Sequence, residues 1–262
     1  MTVHDREPEV LLSTLRSLVR SGLSKAELII VDDRSSMNYE WIRDYVKPRF
    51  AAVKWVPTGD YEGFRLGDYG NPSRAFNMGL EVATGERLIV MSSDVIATPV
   101  SVWSMDRFWT PEVLYTPRII DLDTYREYCG QTRPFPMPWM LVMPTKVALE
   151  VGGWDEEFLK GLCYEDNDFV GRMCLKLGVV RCDWEAQAYH QSHRQPAYEI
   201  DFPEVVAANK TNRDYCRQKW GGIPFDDALA CWTVLKKPDP SGCTRLEYTN
   251  DSLKDKFFAV KV

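Results

Sequence analysis

Residues 26–33, Ala-Glu-Leu-Ile-Ile-Val-Asp-Asp, decide how this chain is read. A short run that is apolar on both faces and ends in two carboxylates is what a central strand of a parallel sheet looks like, because layers on both sides bury it and erase the polar alternation. Upstream, Val10, Leu11, Leu15, Leu18 and Val19 recur on one face at helical spacing. Gly22 then suits a left-handed C-terminal cap. Downstream, 51–57 reads as a short strand. Residues 71–84 read as a helix, with Pro72 in its first turn and Gly85 past its end. Residues 87–94 (RLIVMSSD) form a second buried run that again stops in polar residues.

Strand, helix and strand, with polar groups gathered at the strand ends, predict a doubly wound α/β sheet with a ligand crevice at those ends. Further strands are expected over 113–120, 140–143 and 179–189, and a helix over 166–177. We therefore expect one α/β nucleotide-binding domain over residues 1–195, its central sheet mostly parallel and flanked by helices. A C-terminal extension over 196–262 is expected to pack on that core, with a helix at 209–220 followed by an irregular Pro/Gly-rich stretch.

The 262 residues carry 32 basic and 38 acidic side chains, a formal net charge of -6, which speaks against a nucleic-acid partner. Seven cysteines are scattered without a Cys-x-x-Cys pair, the pattern of free thiols in a reducing compartment. No apolar run approaches the roughly 18–20 residues of a membrane span, and the N-terminus lacks a signal-peptide pattern. The expectation is a cytoplasmic protein without a transmembrane segment, meeting a membrane surface only through its substrate.

Five clusters carry the chemistry. Asp32 and Asp33 close a buried strand, where a carboxylate can accept hydrogen bonds from a base or ribose. Arg74 and Asn77 share one face of a helix's first turn, and an Arg at a helix N-terminus suits a diphosphate. Ala75 and Gly79 on that helix are small enough for close packing on the sheet. Asp94, after Ser92 and Ser93, ends the second buried strand; it suits either a divalent cation or the capping of the next turn. Trp154 and Asp155 lie in Gly-Gly-Trp-Asp-Glu-Glu-Phe, which precedes Glu165, Asp166 and Asp168 in the first turn of a helix. Acids there complement the helix dipole, and a carboxylate over a crevice is also what activates a hydroxyl nucleophile. His190 and His193, two of the chain's three histidines, end another strand, and either imidazole can complete a metal site with Asp94.

In combination and in order, these segments resemble a family 2 glycosyltransferase of the GT-A fold over about residues 1–195. Thr-Val-His-Asp-Arg (2–6) is similar to that family's first strand end. IIVDDRSS resembles its second strand, NPSRAFNMGLEVATGE its Asn-rich helix, and RLIVMSSD its Asp-x-Asp strand. GGWDEEF with EDNDFVGR resembles the acceptor segment and Glu-Asp motif, and AYHQ the histidine that closes the metal site. The resemblance implies that Asp32 and Asp33, with Val3 and Arg6, line the nucleotide pocket, together with Asn77 and Ser92, and that Arg74 approaches the diphosphate. It further implies that Asp94 and His190, or His193, ligate Mn²⁺ or Mg²⁺. Asp166 would deprotonate the acceptor hydroxyl, with Glu165 and Trp154 positioning it and Asp155 beside the acceptor. The implied reaction is inverting transfer from a nucleotide-diphosphate sugar, most simply a UDP-sugar, to a glycan, lipid-linked or protein hydroxyl. Ser92 departs from the family pattern, standing where the first acid of Asp-x-Asp is usual.

Two rival readings share the layout. A nucleotidylyltransferase normally has a Gly-rich basic loop after its first strand, whereas this chain runs Asp5-Arg6-Glu7-Pro8-Glu9 into a helix. A sugar-nucleotide-binding module without transferase activity is the other, and Ser92 is its footing.

Overall fold

In the computed structural model the described residues are 1–67, 69–129, 136–178, 180–191 and 201–225, with the backbone of 232–238 and 243–248. The chain opens with β1 (Thr2–Val3) and α1 (Pro8–Arg20), then β2 (Glu27–Asp32), α2 (Glu40–Val46) and β3 (Ala52–Pro57). The short strands β4 (Arg65–Leu66) and β5 (Tyr69–Gly70) lead into α3 (Ser73–Val82) and β6 (Arg87–Met91). Next come β7 (Val95–Ile96), α4 (Pro99–Phe108), β8 (Leu114–Asp121), β9 (Glu127–Cys129) and β10 (Met140–Pro144). The remainder is α5 (Thr145–Glu150), α6 (Glu165–Leu177), β11 (Val180–His190), α7 (Pro203–Trp220) and the strands β12 (Trp232–Pro238) and β13 (Cys243–Tyr248).

Strands β1, β2 and β3 pair in parallel, so the 26–33 run lies between two neighbours, with Leu28, Ile30, Val31 and Asp33 buried and Ala26, Glu27, Ile29 and Asp32 half-buried. The second ladder runs β12-β13-β11-β8-β10-β6. Within it β6, β8 and β11 point one way, and β10 lies reversed between β6 and β8. A run buried on both faces carries no sign of its direction, which is why 140–143 reads from sequence as a strand but not as an antiparallel one. α3 packs on β2, α4 on β8 and β11, and α6 on β8. The main core includes Leu11, Leu15, Ile30, Met105, Leu114, Ile119 and Phe169, all fully buried; each such side chain contributes about 1.5–3 kcal/mol by leaving water.

Local signals behave as expected around α1: Gly22 adopts φ +93 immediately after its last turn. Gly79 lets α3 lie against the sheet, since a Cβ there would meet Val31 Cγ2 at 3.1 Å. The strand at 87–94 stops at Met91, leaving Ser92–Asp94 as a turn. The helix expected from 209 begins at Pro203, whose fixed φ suits a first helical position. In place of an irregular tail, β12 and β13 form an antiparallel pair that adds to the sheet beside β11. No helix among the described residues is long and apolar enough to cross a membrane.

Candidate active site

Two cavities meet at the strand ends. The smaller, about 120 Å³, is bounded by His4, Arg6, Asp33 and Ser93. The larger, about 740 Å³, presents Glu165 and Asp166 beneath Tyr128, Trp139 and the α7 side chains Asn209 and Arg213. Thr2, Pro72 and Ser92 line both. Thr2 at the start of β1, Pro72 before α3 and Ser92 just past β6 thus form a partition between two open spaces.

Around the smaller cavity Asp33 is a hub. It is 4% exposed and accepts hydrogen bonds from Thr58 Oγ1 at 3.1 Å, from Tyr61 OH at 3.0 Å and from Arg34 Nε at 3.3 Å. Arg65 Nη2 stands 3.3 Å from its other oxygen. Three of these four donors, Thr58, Tyr61 and Arg65, brace the 58–65 loop against the end of β2. The Asp33 carbonyl lies 2.7 Å from His4 Nδ1 and accepts from it in the tautomer that carries its proton there. Asp32 turns elsewhere, its carboxylate taken by Ser35 N and Trp55 Nε1.

Arg6 reaches across to Asp94, with Nη2 2.9 Å from Oδ2. The other Asp94 oxygen lies 3.6 Å from His190 Nε2. Sheet pairing makes this approach: β7 pairs with the end of β11, setting Val95 opposite His190, and Gln191 N donates to the Asp94 carbonyl at 2.8 Å. Parallel pairing of β8 and β11 sets Asp121 beside His190, where Oδ2 lies 3.3 Å from Nδ1. Asp121 is itself held by Thr124 N at 2.8 Å, Thr124 Oγ1 at 2.9 Å and Asp123 N at 3.1 Å. Burial works to raise its pKa, but the hydrogen bonds from Thr124, His190 and Asp123 outweigh that and draw it down to about 2. A carboxylate at one imidazole nitrogen that leaves the other facing an acid is the usual support of a metal-ligating histidine. Asp94 and His190 therefore fit as two protein ligands of a divalent ion. Among the described residues no group of three or more His, Cys, Asp or Glu is arranged to hold one, so further ligands would have to come from substrate or water.

The larger cavity is built around the start of α6. Cys163 and Tyr164 both adopt positive φ, at +63 and +69, an uncommon conformation for side-chain-bearing residues and one that clusters at functional sites. The double turn delivers Glu165 and Asp166 to the cavity wall. Asn71 Nδ2 donates to Glu165 Oε2 at 2.9 Å, and Trp154 Nε1 donates to Asp166 Oδ1 at 3.1 Å. Burial, and then the charge of Asp166, push the Glu165 carboxyl up to about 8. Burial also raises Asp166, to about 6, against the opposing hydrogen bond from Trp154. Both carboxyls of this buried pair are thus shifted upward, Glu165 further than Asp166. Asp168, in the same helical turn, is fully buried and structural: it accepts from Arg172 Nη2 at 2.7 Å and Trp220 Nε1 at 2.9 Å, and Lys219 Nζ is 2.7 Å away.

The structure does not bring every expected residue to a cavity. Val3 is 1% exposed and its side chain belongs to the core, so only its carbonyl faces Asp33, accepting that residue's N–H. Arg74 and Asn77 turn to the 154–156 segment instead of a diphosphate: Arg74 Nη1 contacts Glu156 Oε1 at 3.3 Å, and Asn77 Nδ2 donates to Glu156 Oε1 and the Trp154 carbonyl. Gly153, at φ +64, has no room for a Cβ because Asn77 Oδ1 occupies that space. Trp154 is 2% exposed and stacked between Phe76 and Phe169, with ring centroids 4.5 and 3.6 Å away. It offers Asp166 an N–H and offers an acceptor no face. Asp155 is held by Tyr215 OH at 2.8 Å and Lys219 Nζ at 2.6 Å, which fasten α7 to the core. His193 lies outside the described residues. His4 and Asp121 join the site without an expectation from sequence, although Asp121 ends a buried strand just as Asp94 follows one, the same signal.

Residues 1–105 match the model of the family described as glycosyl transferase family 2. No curated protein matches the chain. Among solved structures, that of GalNAc-T7 with UDP, GalNAc and Mn²⁺ superposes with a TM-score of 0.54 at 15% identity, covering 86% of this chain and 52% of that one. TarS 1-349 of S. aureus gives 0.60 at 14% identity, covering 84% and 70%, and the same fragment with UDP-GlcNAc gives 0.61 at 12%, covering 86% and 72%. The chain thus spans about half the length of the GalNAc-T7 chain. At such identities the likeness is one of fold, the GT-A type.

Proposed function

We propose that this chain, whose first 105 residues match family 2 glycosyl transferases, moves a sugar from a nucleotide-diphosphate donor to an acceptor hydroxyl with inversion at the anomeric carbon. The observation that carries this reading is the wall shared by two cavities: Ser92, Thr2 and Pro72 separate a pocket holding Arg6 and Asp33 from one holding Asp166. Part of the donor enters the smaller space beside Arg6 and Asp33, and its sugar is directed to the partition. The acceptor enters the larger one, among Phe76, Tyr128 and Trp139. UDP is the proposed nucleotide, in line with the UDP and UDP-GlcNAc that the similar structures hold.

Asp166 takes the acceptor's proton as its oxygen bonds to the anomeric carbon and the bond to the diphosphate breaks, releasing the nucleoside diphosphate. A carboxyl pushed up toward 6 is well matched to this task, being ionised at neutral pH yet basic enough to accept a proton. Trp154 fixes one of its oxygens. Asp94 and His190 would hold Mn²⁺ or Mg²⁺, and an ion there supplies neutralising charge to the departing diphosphate. The acceptor is a glycan, lipid-linked or protein hydroxyl. The five described cysteines are free thiols, in keeping with a cytoplasmic location.

A thermal-shift screen of nucleotide sugars, each with and without Mn²⁺, tests the reading. A true donor raises the melting temperature by mass action, and more so with the ion; no shift from any nucleotide sugar overturns the proposal. Asp166→Asn then separates an enzyme from a mere binding module: transfer is lost while donor binding survives.

A further inference from the structure

Arg6 is committed to Asp94 by only one of its nitrogens. Its side chain is 11% exposed, Nη2 is 2.9 Å from Asp94 Oδ2, and Nη1 is 3.9 Å from the half-exposed Glu7. Nε and Nη1 are buried without a hydrogen-bond partner. Burying donor groups unsatisfied is costly, so native proteins rarely do it without a purpose, and Arg6 is one of the residues around the cavity that Thr2, His4, Asp33 and Ser92 also line. A planar guanidinium with nitrogens to spare is suited to bidentate contact with phosphate oxygens. Ser92 brings no charge to this wall, and the anion nearest Arg6 is Asp94, the same carboxylate that approaches His190.

Resting on the donor-site reading above, we infer that Arg6 is the resident counter-cation of this site: it clasps Asp94 in the metal-free protein, competes with a divalent ion for that carboxylate, and offers Nε and Nη1 to the donor's diphosphate. An ion arriving at Asp94 meets a fixed positive charge and must displace Nη2. A diphosphate arriving alone finds a cation already in place, so the nucleotide binds without metal.

The test uses the full chain, freed of metal, with Mn²⁺ binding followed by the electron paramagnetic resonance of free Mn²⁺ and UDP binding by calorimetry in EDTA. Removing the guanidinium in Arg6→Met should tighten Mn²⁺ binding about fivefold or more, by lifting the charge repulsion. It should also weaken metal-free UDP binding about tenfold, the worth of a lost charge-assisted hydrogen bond. Arg6→Lys, which keeps the charge but not the fork, should retain wild-type Mn²⁺ affinity and still lose UDP affinity; it decides the matter if the Met variant does not fold. Unchanged Mn²⁺ affinity in Arg6→Met, or unchanged metal-free UDP affinity in either variant, overturns the inference while leaving the donor site standing. Failure of the wild-type chain to bind UDP with or without Mn²⁺ overturns both.

Discussion

The indole N–H of Trp154 donates to Asp166 Oδ1 over 3.1 Å, and the indole ring is itself clamped between Phe76 and Phe169. One buried aromatic stack, reaching from α3 to α6, thereby sets the direction of the carboxylate proposed as the base. Trp154→Phe keeps the stack and deletes the donor. Because that hydrogen bond lowers the Asp166 pKa, its loss should move the acid limb of the rate–pH profile upward from about 6 and reduce kcat about tenfold or more. Donor affinity should be unchanged. A pH profile of kcat with parallel UDP titrations checks this, and an unmoved acid limb would count against Trp154 as the positioning residue.

Glu165 makes the fold sensitive to alkali. Its folded pKa, about 8, lies above the ordinary value of 4.5 because burial and the Asp166 charge disfavour ionisation. A carboxyl with a raised folded pKa binds its proton more tightly in the native state than in the unfolded chain. Its contribution to stability is therefore fully present below about 4.5 and is lost as pH rises through about 8. Glu165→Gln, neutral throughout and still able to accept from Asn71 Nδ2, should raise the melting temperature by several degrees at pH 8.5 and far less at pH 5. Equal shifts at both pH values would show that Glu165 does not hold its proton.

Asp121 should matter to metal affinity more than to stability. Asp121→Asn retains an oxygen for Thr124 but weakens the grip on His190 Nδ1, and outer carboxylates of this kind typically contribute 10–100-fold to affinity. Mn²⁺ binding should fall by roughly that factor with the circular dichroism spectrum and melting temperature little changed. Wild-type Mn²⁺ affinity in this variant would mean that His190 needs no such support.

Asp168 ties the α7 helix to the core by neutralising Arg172 and Lys219 while accepting from Trp220. Asp168→Ala leaves the buried Arg172 guanidinium without its carboxylate, while Lys219 keeps Asp155; stranding a buried charge in this way typically costs about 3–5 kcal/mol. Urea unfolding should report a loss of that order, and a loss under about 1 kcal/mol would show that the buried network is dispensable.

How much of this is legible in sequence follows from what kind of information each residue carries. Asp94, Asp166 and Glu165 can be picked out because each stands where a buried run or a helical stripe begins or ends, and such ends open onto a crevice. Arg74 and Asn77 can be placed on one helix face, but periodicity says nothing of what lies opposite, which in the fold is Glu156. Trp154 reads from sequence as an acceptor contact; stacking between two distant phenylalanines leaves its ring no exposed face. The β12–β13 pair escapes a sequence reading because such strands draw their order from the neighbours they pair with, β13 from β11 and the edge strand β12 from β13, and carry only a weak pattern of their own.

The amino-acid sequence by itself determined the α/β class, the order of the main elements and the stations where carboxylates leave the core, since hydrophobic burial acts on local patterns. Only the tertiary structure decided that Asp94, Asp121 and His190 adjoin, because β7 and β8 meet β11 through hydrogen bonds spanning about 70–95 residues. It alone also decided that Arg6 rests on Asp94. Which side chains share a cavity depends on strand register and helix packing, and those are set by contacts between segments that local pattern cannot pair.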